Sequence, residues 1–190
     1  MLEVVEVGDL RLIGEVIRLD DGTATLQVYE NTSGLRPGEP VYCTGRPLSV
    51  KLGPGLLGNI YDGIQRPLER IMAASGAMID RGEKPEALDE TRVWPFVPAC
   101  EVGDEVAPGN LFGLVQETGS IEHRLLVPPG FEGRVAHVSP AGDYLGDQVV
   151  CRLTGAAGDQ ELSMCHYWPV RKPRPVGKRL AMGEPLTTGL

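Results

Sequence analysis

Hydrophobic residues in this chain recur mostly at every second position, in short runs separated by glycine and proline. The clearest runs are IGEVIRL and TATLQVY, which flank residues 20–22 (DDG); in the second run Ala24, Leu26 and Val28 alternate with other side chains. A period of two is typical of β-strands, and Asp-Gly favours a tight hairpin turn. The pattern predicts an antiparallel hairpin, followed by two short strands at VYCTG and LSVKL.

One helix is predicted. It begins near Pro67, a position that suits the first turn of a helix, and runs through LERIMAASGAMI to about Ile79. Its apolar face is formed by Leu68, Ile71 and Met72. Gly82 is expected to stop it, and the polar stretch GEKPEALDETRVW that follows is predicted to be a linker.

A second β region is predicted from near Trp94 to near Arg171. Glycines and Gly-Asp pairs separate short Val/Leu runs throughout this region, as in VGDEVAPGNLFGLV and PPGFEGRVAHV. Such spacing is typical of a small barrel or sandwich with sharp corners. The chain is therefore predicted to be mainly all-β.

The composition fits one large domain or two small ones that fold without disulfides. The four cysteines, Cys43, Cys100, Cys151 and Cys165, form no CxxC pair, and no apolar leader precedes the first charges, so we expect a reducing, cytosolic setting. No run approaches the roughly 18 apolar residues that a membrane span needs. We therefore expect no direct membrane insertion.

The charge is distributed unevenly. The net charge of −8 argues against nonspecific nucleic-acid binding by the whole protein, but residues 170–190 hold five basic residues and one acid. Because prolines crowd this tail, it is predicted to be extended. A basic, extended tail after Trp168 could stack on RNA bases or dock on a protein surface, and we favour the second.

A nucleotide site is considered and rejected. GPGLLG at residues 53–58 fits GxGxxG, and Asp80 follows at a suitable distance, but the next residues are poor helix starters and a dinucleotide loop must open a helix. No GxxxxGK[ST] loop exists in the sequence, whose lysines are Lys51, Lys84, Lys172 and Lys178. The glycines are interpreted as an ordinary loop.

Other candidate chemistry is also weak. His123, His137 and His166 lack the spacing of metal ligands, and Ser120 near Glu122 and His123 is interpreted as turn chemistry. Cys43, among apolar neighbours, is interpreted as inert core. No catalytic, cofactor-binding or metal-ligating residue is assigned.

Several strings nevertheless resemble one family. LIGEVIRLDDGTATLQVYENTSGLRPGEPV, LGPGLLGNIYDGIQRPLERI, VGDEVAPGNLFGLVQETGSIEHRLLVPPGFEGRV and MCHYWPVRKPRPVGKRL occur in order through nearly the whole chain. Together they resemble the front part of the catalytic A subunit of V-type and archaeal-type rotary ATPases. YDGIQRPLE and WPVRKPRP are the most specific of these motifs.

The resemblance implies four segments. They are an N-terminal β-barrel (1–66), a helix and linker (67–93), a lipoyl-like, barrel-sandwich β insert that we call the bulge (94–172), and an extended basic tail (173–190). In the family, a PLxTG motif like the one at residues 185–189 leads into the nucleotide domain. We therefore expect a piece that ends before that domain, whose ATP and Mg²⁺ sites belong to the intact subunit.

The resemblance also implies a further strand before VEVGDLRLIGEV. If that strand is missing, the barrel would expose an edge that could pair with another chain, giving an edge-paired or swapped homo-oligomer. The expected role is assembly: contacts with B subunits and with other A-subunit domains, and stator contacts through the bulge, in a cytoplasmic, membrane-peripheral complex that couples ATP to proton or sodium movement. On its own, the chain is not expected to be catalytic.

Two other functions stay open at this stage. The bulge strings resemble biotinyl and lipoyl carriers, but such carriers need a lysine at a hairpin tip. No lysine lies between Lys84 and Lys172, and His123 or Arg124 falls near the expected tip. The second alternative is a free-standing binding module that uses the tail.

Overall fold

The computed structural model describes residues 2–76, 79–156, 158–176, 181 and 183. Strands account for most of the regular structure in these residues, and one helix of eight residues stands among them. The prediction of a mainly β protein is confirmed. Within the described ranges, no helix has the length and hydropathy that crossing a bilayer requires.

The elements follow one another in two groups. The first group is β1 (Glu3–Val7), β2 (Leu12–Asp20), β3 (Thr23–Val28), β4 (Val41–Pro47), β5 (Ser49–Leu52) and α1 (Leu68–Ser75). The second group is β6 (Val93–Pro98), β7 (Glu105–Val106), β8 (Leu111–Gln116), β9 (Glu122–Leu126), β10 (Gly133–Val138), β11 (Gly142–Leu145), β12 (Val149–Gly155), β13 (Gly158–Ser163) and β14 (His166–Pro169).

The N-terminal strands form an antiparallel sheet in the order β3-β2-β1-β4. The predicted hairpin is confirmed: β2 and β3 pair up to Asp20 and Thr23, and Asp21 and Gly22 between them have φ values of 31° and 83°. Positive φ at both positions is what a two-residue hairpin turn with the correct twist requires. The predicted closure into a barrel is not seen, because β3 and β4 lie at opposite edges and do not pair in the described residues.

The edge strand β4 corrects one prediction. Cys43 was expected to be inert core, but it is exposed, as are its neighbours Val41 and Tyr42. The reason is topological: β4 has a partner on one side only, and no second layer of the described chain covers its outer face. The buried hydrophobic residues of this sheet come from the two central strands and are Val5, Leu12 and Val16.

The helix begins where it was predicted but ends earlier. Pro67 is extended and α1 starts at Leu68, whereas the helix ends at Ser75 rather than near Ile79. Gly76 adopts φ 82° and ψ −149°, a conformation open mainly to glycine, and its N–H donates to the Met72 carbonyl. Residues 77 and 78 of the predicted helix lie outside the described residues.

The predicted apolar face of the helix is also narrower than expected. Of the predicted apolar face, Ile71 is buried, whereas the Met72 side chain is 65% exposed. A helix of two turns can bury only a narrow stripe, and Met72 lies about 100° around the axis from Ile71. Gly82 has another role than stopping the helix: its N–H donates to the buried Glu30 carboxylate at 2.8 Å.

The second group of strands forms a sandwich. One sheet has the order β13-β12-β10-β7 and the other β11-β6-β8-β9. Burial alternates clearly along β6, where Trp94 and Phe96 are buried and Pro95 between them is exposed. The shared core contains Trp94, Phe96, Val106, Phe112, Val115, Leu125, Val127, Val135, Val150, Cys151, Leu153, Leu162 and Met164.

Two aromatic rings pack against each other at one side of this core. The Phe96 and Tyr144 rings meet edge to face, with centroids 5.9 Å apart. The Phe96 ring lies directly over Gly113 of β8: a Cβ atom there would be 2.3 Å from the ring. A glycine is therefore required at 113 for close approach, although its backbone is an ordinary strand.

Gly113→Ala is predicted to destabilise the sandwich by about 1–3 kcal/mol, since the added methyl group must displace the buried Phe96 ring. The measurement is the free energy of unfolding in urea. The matched control is Gly119→Ala, in the turn between β8 and β9, where an added Cβ meets no atom within 4 Å. Equal effects of the two substitutions would contradict the packing argument.

Candidate functional site

The two groups of strands meet through a strand pair. β14, the last strand of the second region, leaves the sandwich and pairs antiparallel with β5, placing His166 opposite Leu52 and Trp168 opposite Val50. Two close contacts accompany this pair: Gly53 packs against Cys165, and Gly55 packs against the Trp94 ring. We call this region the junction; it is formed by β5, β14 and the loop after β5 (residues 53–58).

Lys51 lies at the centre of the junction. Its ammonium group is buried and contacts two carboxylates, Glu90 Oε1 at 2.8 Å and Asp147 Oδ2 at 2.5 Å. Its backbone exchanges two hydrogen bonds with the Gln65 amide side chain, at 2.6 and 2.7 Å. One residue of β5 is thus bound to the segment before the helix, to the linker and to a loop of the sandwich.

The ion pairs keep Lys51 charged despite its burial. Burial alone would lower the pKa of its ammonium group, but the hydrogen bonds to Asp147 and Glu90 outweigh it and raise that pKa above the usual value. The two carboxylates are about half exposed, at 50% and 47% of their side chains. Water solvates the two carboxylates but hardly reaches the buried amine. Loss of the ion pairs would therefore cost more solvation free energy at the amine than at the carboxylates.

The glycine loop at 53–58 binds a carboxylate of its own chain. The N–H groups of Gly55 and Leu57 donate to Glu117 Oε1 at 2.7 and 3.3 Å. Glu117 follows β8, is buried, and receives a further hydrogen bond at Oε2 from His123 Nδ1 at 3.0 Å. Two backbone amides aimed at one anion form the kind of cradle that phosphate loops use, here filled by a side chain.

The hydrogen bonds fix the ionisation of this carboxylate. Burial would raise the pKa of Glu117, but the loop amides and His123 together hold it below its usual value. Glu117 is therefore a buried anion at neutral pH, and its charge is matched by oriented dipoles rather than by a lysine or arginine.

The residues that lead into the tail contact the N-terminal sheet through Arg171. Arg171 donates through Nε to Glu15 Oε1 at 3.1 Å and through a second nitrogen to Oε2, and the Tyr29 hydroxyl donates to the same carboxylate at 2.9 Å. The Glu15 side chain is 1% exposed. The hydrogen bonds from Arg171, assisted by Tyr29 and opposed by burial, hold the pKa of Glu15 below its usual value.

Basic side chains also cover the Trp168 ring, the ring on which an RNA base would have to stack. The Trp168 ring is buried, its indole N–H donates to the Lys172 carbonyl at 2.7 Å, and Arg174 lies 4.7 Å from the ring centroid. The prediction of an extended tail can be followed only to 176 in the described residues, and 173–176 carry no regular structure there.

The other sequence candidates are placed as follows. The GxGxxG loop opens no helix, since the next helix starts at Leu68. His123 and His166 line the same cavity, whereas His137 is exposed on β10. Among the residues that the structure describes, no group of three or more His, Cys, Asp or Glu side chains has the geometry of a metal site.

The remaining candidates lie around β9. Ser120 is part of the β8–β9 turn, where its N–H contacts the Thr118 hydroxyl. His123 and Arg124, which were expected near a hairpin tip, lie at the start of β9, directly after the β8–β9 turn that residues 117–121 form.

Sequence reasoning missed Lys51, Glu117 and Glu15. Only Lys51 gave a usable signal, since it is the single charged residue in the apolar run LSVKLGPGLL. A charge in such a run indicates either an exposed strand face or a buried ion pair, and nothing local distinguishes the two. Apart from His123 and Tyr29, the partners that these contacts bring to the two carboxylates are far from them in the sequence: Glu117 and Gly55 are 62 residues apart, and Glu15 and Arg171 are 156 apart.

Comparison with known proteins identifies the class. Residues 1–45 match the family model "ATP synthase alpha/beta family, beta-barrel domain", and residues 85–171 match "ATPsynthase alpha/beta subunit barrel-sandwich domain". The two models match the N-terminal sheet and the sandwich in the order in which these occur. The chain belongs to the ATP synthase alpha/beta family.

Within that family, the chain is similar to the A subunits of V-type and A-type enzymes. The chain is 49% identical over its whole length to the catalytic A subunit of the V-type proton ATPase of Cyanidium caldarium, of which it covers 33%. It is 50% identical over its whole length to the A subunits of the A-type ATP synthases of Desulfurococcus sp. and Thermococcus onnurineus, covering 32% of each. The chain thus spans about a third of the length of these relatives and is similar to their N-terminal part.

Glu117→Gln is predicted to destabilise the protein by about 1–3 kcal/mol, because an amide offers one acceptor where the loop N–H groups and His123 require two. The measurement is the free energy of unfolding in urea at pH 7. Glu122→Gln is the matched control: its side chain is 46% exposed and its nearest cation is 3.9 Å away, so a change within about 0.5 kcal/mol is expected. A similar loss in both variants would contradict the buried cradle.

Glu15→Gln is predicted to flatten the acid limb of the stability profile. The folded pKa of Glu15 is depressed, so its contribution is present above the unfolded pKa of about 4.3 and is lost as the pH falls through the folded value. The urea midpoint should therefore fall less in Glu15→Gln than in the wild type between pH 5 and pH 3.

The control for this series is Glu161→Gln, which removes an exposed ion pair with Arg152 and is expected to change the urea midpoint little. Identical profiles for wild type and Glu15→Gln would show that Glu15 titrates alike in the folded and unfolded chain.

Proposed function

We propose that this chain is the N-terminal and bulge region of the catalytic A subunit of a V-type or A-type ATPase and that it serves assembly. In this role the N-terminal segment (1–66) contacts B subunits in the A/B ring, and the bulge (94–172) contacts stator components. The observation that carries the proposal is the identity of about half of the residues with A subunits over the entire chain.

The junction supports an architectural role. Its charged groups are engaged with each other: Lys51 with Glu90 and Asp147, and Glu117 with loop amides and His123. Charges that are neutralised within the chain hold the two units in a fixed relation. ATP and Mg²⁺ belong, in this proposal, to the intact subunit, which would couple ATP hydrolysis or synthesis to proton or sodium movement on the cytoplasmic side of a membrane.

The surface of the N-terminal sheet supports contacts with other subunits. Ile17 and Leu19 on β2 are 40% and 57% exposed, and Val41 and Tyr42 on β4 are exposed as well. Ile17 and Leu19 are neighbours on β2 beyond its pairing with β1, whereas Val41 and Tyr42 lie toward the other end of the sheet; exposed neighbouring apolar side chains such as the β2 pair are typical of an interaction surface. The unpaired edges of β3 and β4 in the described residues offer backbone groups for the same purpose.

Leu19→Lys is predicted to weaken association with the cognate B subunit by about tenfold, because it places a charge in an apolar contact. The measurement is titration of the chain with purified B subunit, read by native mass spectrometry or calorimetry. Val102→Lys is the matched control, since Val102 is 64% exposed on a turn of the sandwich. No association of the wild-type chain, or equal weakening by both variants, would refute the proposed contact.

A further inference from the structure

A cavity of about 300 Å³ lies beside the junction, between the loop after β5 and the sandwich. Its walls come from both units. Leu52, Gly53 and Leu56 form the side that belongs to the N-terminal unit. The opposite side includes Phe112, Leu125 and Met164, which belong to the core of the sandwich.

The floor of the cavity is apolar and rigid. Phe112, Leu125 and Met164 are 2%, 3% and 1% exposed, so the cavity reaches the packed core rather than a loose surface. Leu52 and Leu56 are half-buried opposite them. A volume of this size is at the lower end of the range of small-molecule pockets.

Basic side chains surround the rest of the cavity. They are His123, Arg124, His166 and Arg174. Arg174 places one guanidinium nitrogen 3.1 Å from His166 Nε2. A guanidinium has five N–H donors, so one bond to an imidazole leaves several for a ligand. The arginine can donate only to an unprotonated nitrogen, and this places the His166 proton on Nδ1.

No carboxylate lines this cavity among the described residues. The nearest one to the histidines is Glu117, and both of its oxygens are engaged, one by the loop amides and the other by His123. The cavity therefore combines an apolar floor with two arginines: Arg174 bonds to the His166 imidazole, and Arg124 has only a long contact of 3.9 Å to the Glu122 carboxylate, which does not line the cavity. A cation would be repelled there, and a purely apolar molecule would make no use of the guanidinium donors.

We propose that this cavity binds a small amphipathic anion: a carboxylate on a short aliphatic chain, with the chain against Leu52, Leu56 and Met164 and the carboxylate between Arg124 and Arg174. The charge pattern selects the anion, and the volume limits the chain to the length of a medium-chain fatty acid. The proposal is independent of the assembly role and uses only residues of this chain.

The probe is sodium octanoate, titrated into the full chain by calorimetry. Octanol and octylammonium share its chain and differ in the head group, so they separate the apolar contribution from the charge. Octanoate is expected to bind about tenfold or more tightly than either control compound, since only it can accept charge-assisted hydrogen bonds. Equal affinities for the three compounds, or octanoate affinity weaker than about 10 mM, would overturn the proposal.

Two variants locate the site. Arg124→Gln and Arg174→Gln are each expected to reduce octanoate affinity by about fivefold to tenfold, and Arg124 is suited to this test because its side chain is 73% exposed and unimportant for packing. Arg152→Gln is the matched control: Arg152 is 57% exposed on β12 and pairs with Glu161 away from the cavity. Unchanged affinity in both cavity variants would overturn the proposal.

Methyl NMR spectra give a readout independent of affinity. Octanoate should shift the resonances of Leu52, Leu56 and Met164 and leave those of Leu10 and Val102 unchanged, since the latter two are exposed elsewhere. Shifts confined to the exposed methyl groups would show surface adsorption and would contradict the assigned cavity.

Discussion

The arrangement of the two β units depends on one buried ammonium group. Lys51 is the point at which β5, the segment before the helix, the linker and the sandwich meet, through contacts with Gln65, Glu90 and Asp147. A buried charge without partners costs several kcal/mol, so any arrangement that separates these carboxylates from the amine is strongly disfavoured. Apolar packing alone would tolerate small rotations between the units, whereas a short ion pair is favourable only in a narrow range of their relative orientations.

The glycine loop at residues 53–58 is also held by a buried charge, here a carboxylate instead of an ammonium group. Its amides donate to the Glu117 carboxylate, so a sequence that matches a nucleotide-binding motif serves internal packing. Gly53 is needed there because Cys165 approaches its backbone too closely for a side chain, and Gly55 because its φ of 101° is one that other residues rarely adopt. The resemblance to a phosphate loop is real at the level of hydrogen-bond geometry, and the difference lies in which anion occupies the cradle.

Local patterns predicted local structure well. The hairpin at residues 20–22, the strands at VYCTG and LSVKL, and the start of the helix after Pro67 all follow from side-chain period and turn chemistry over a few residues. The errors have two sources. Cys43 is exposed because nothing in the described chain packs over it, and this depends on the tertiary fold rather than on the local sequence. The helix ends at Ser75 because the glycine that follows, Gly76, is enough to turn the chain.

The junction itself could not have been predicted from such patterns. The pairing of β5 with β14 joins residues more than a hundred positions apart, and Arg171 reaches Glu15 over a still longer separation. Nothing in the run HYWP distinguishes a strand that stays in the sandwich from one that leaves it. The family resemblance supplied the order of the units, but not the contacts that join them.

The path of the chain through the junction has an evolutionary consequence. The sandwich starts at Trp94, which packs on Gly55, and finishes at Cys165, which packs on Gly53, so its two ends emerge side by side. A module with adjacent ends can be inserted, lengthened or exchanged without redirecting the rest of the polypeptide. Natural variation in the size of this module should therefore be tolerated wherever those two glycine contacts are kept.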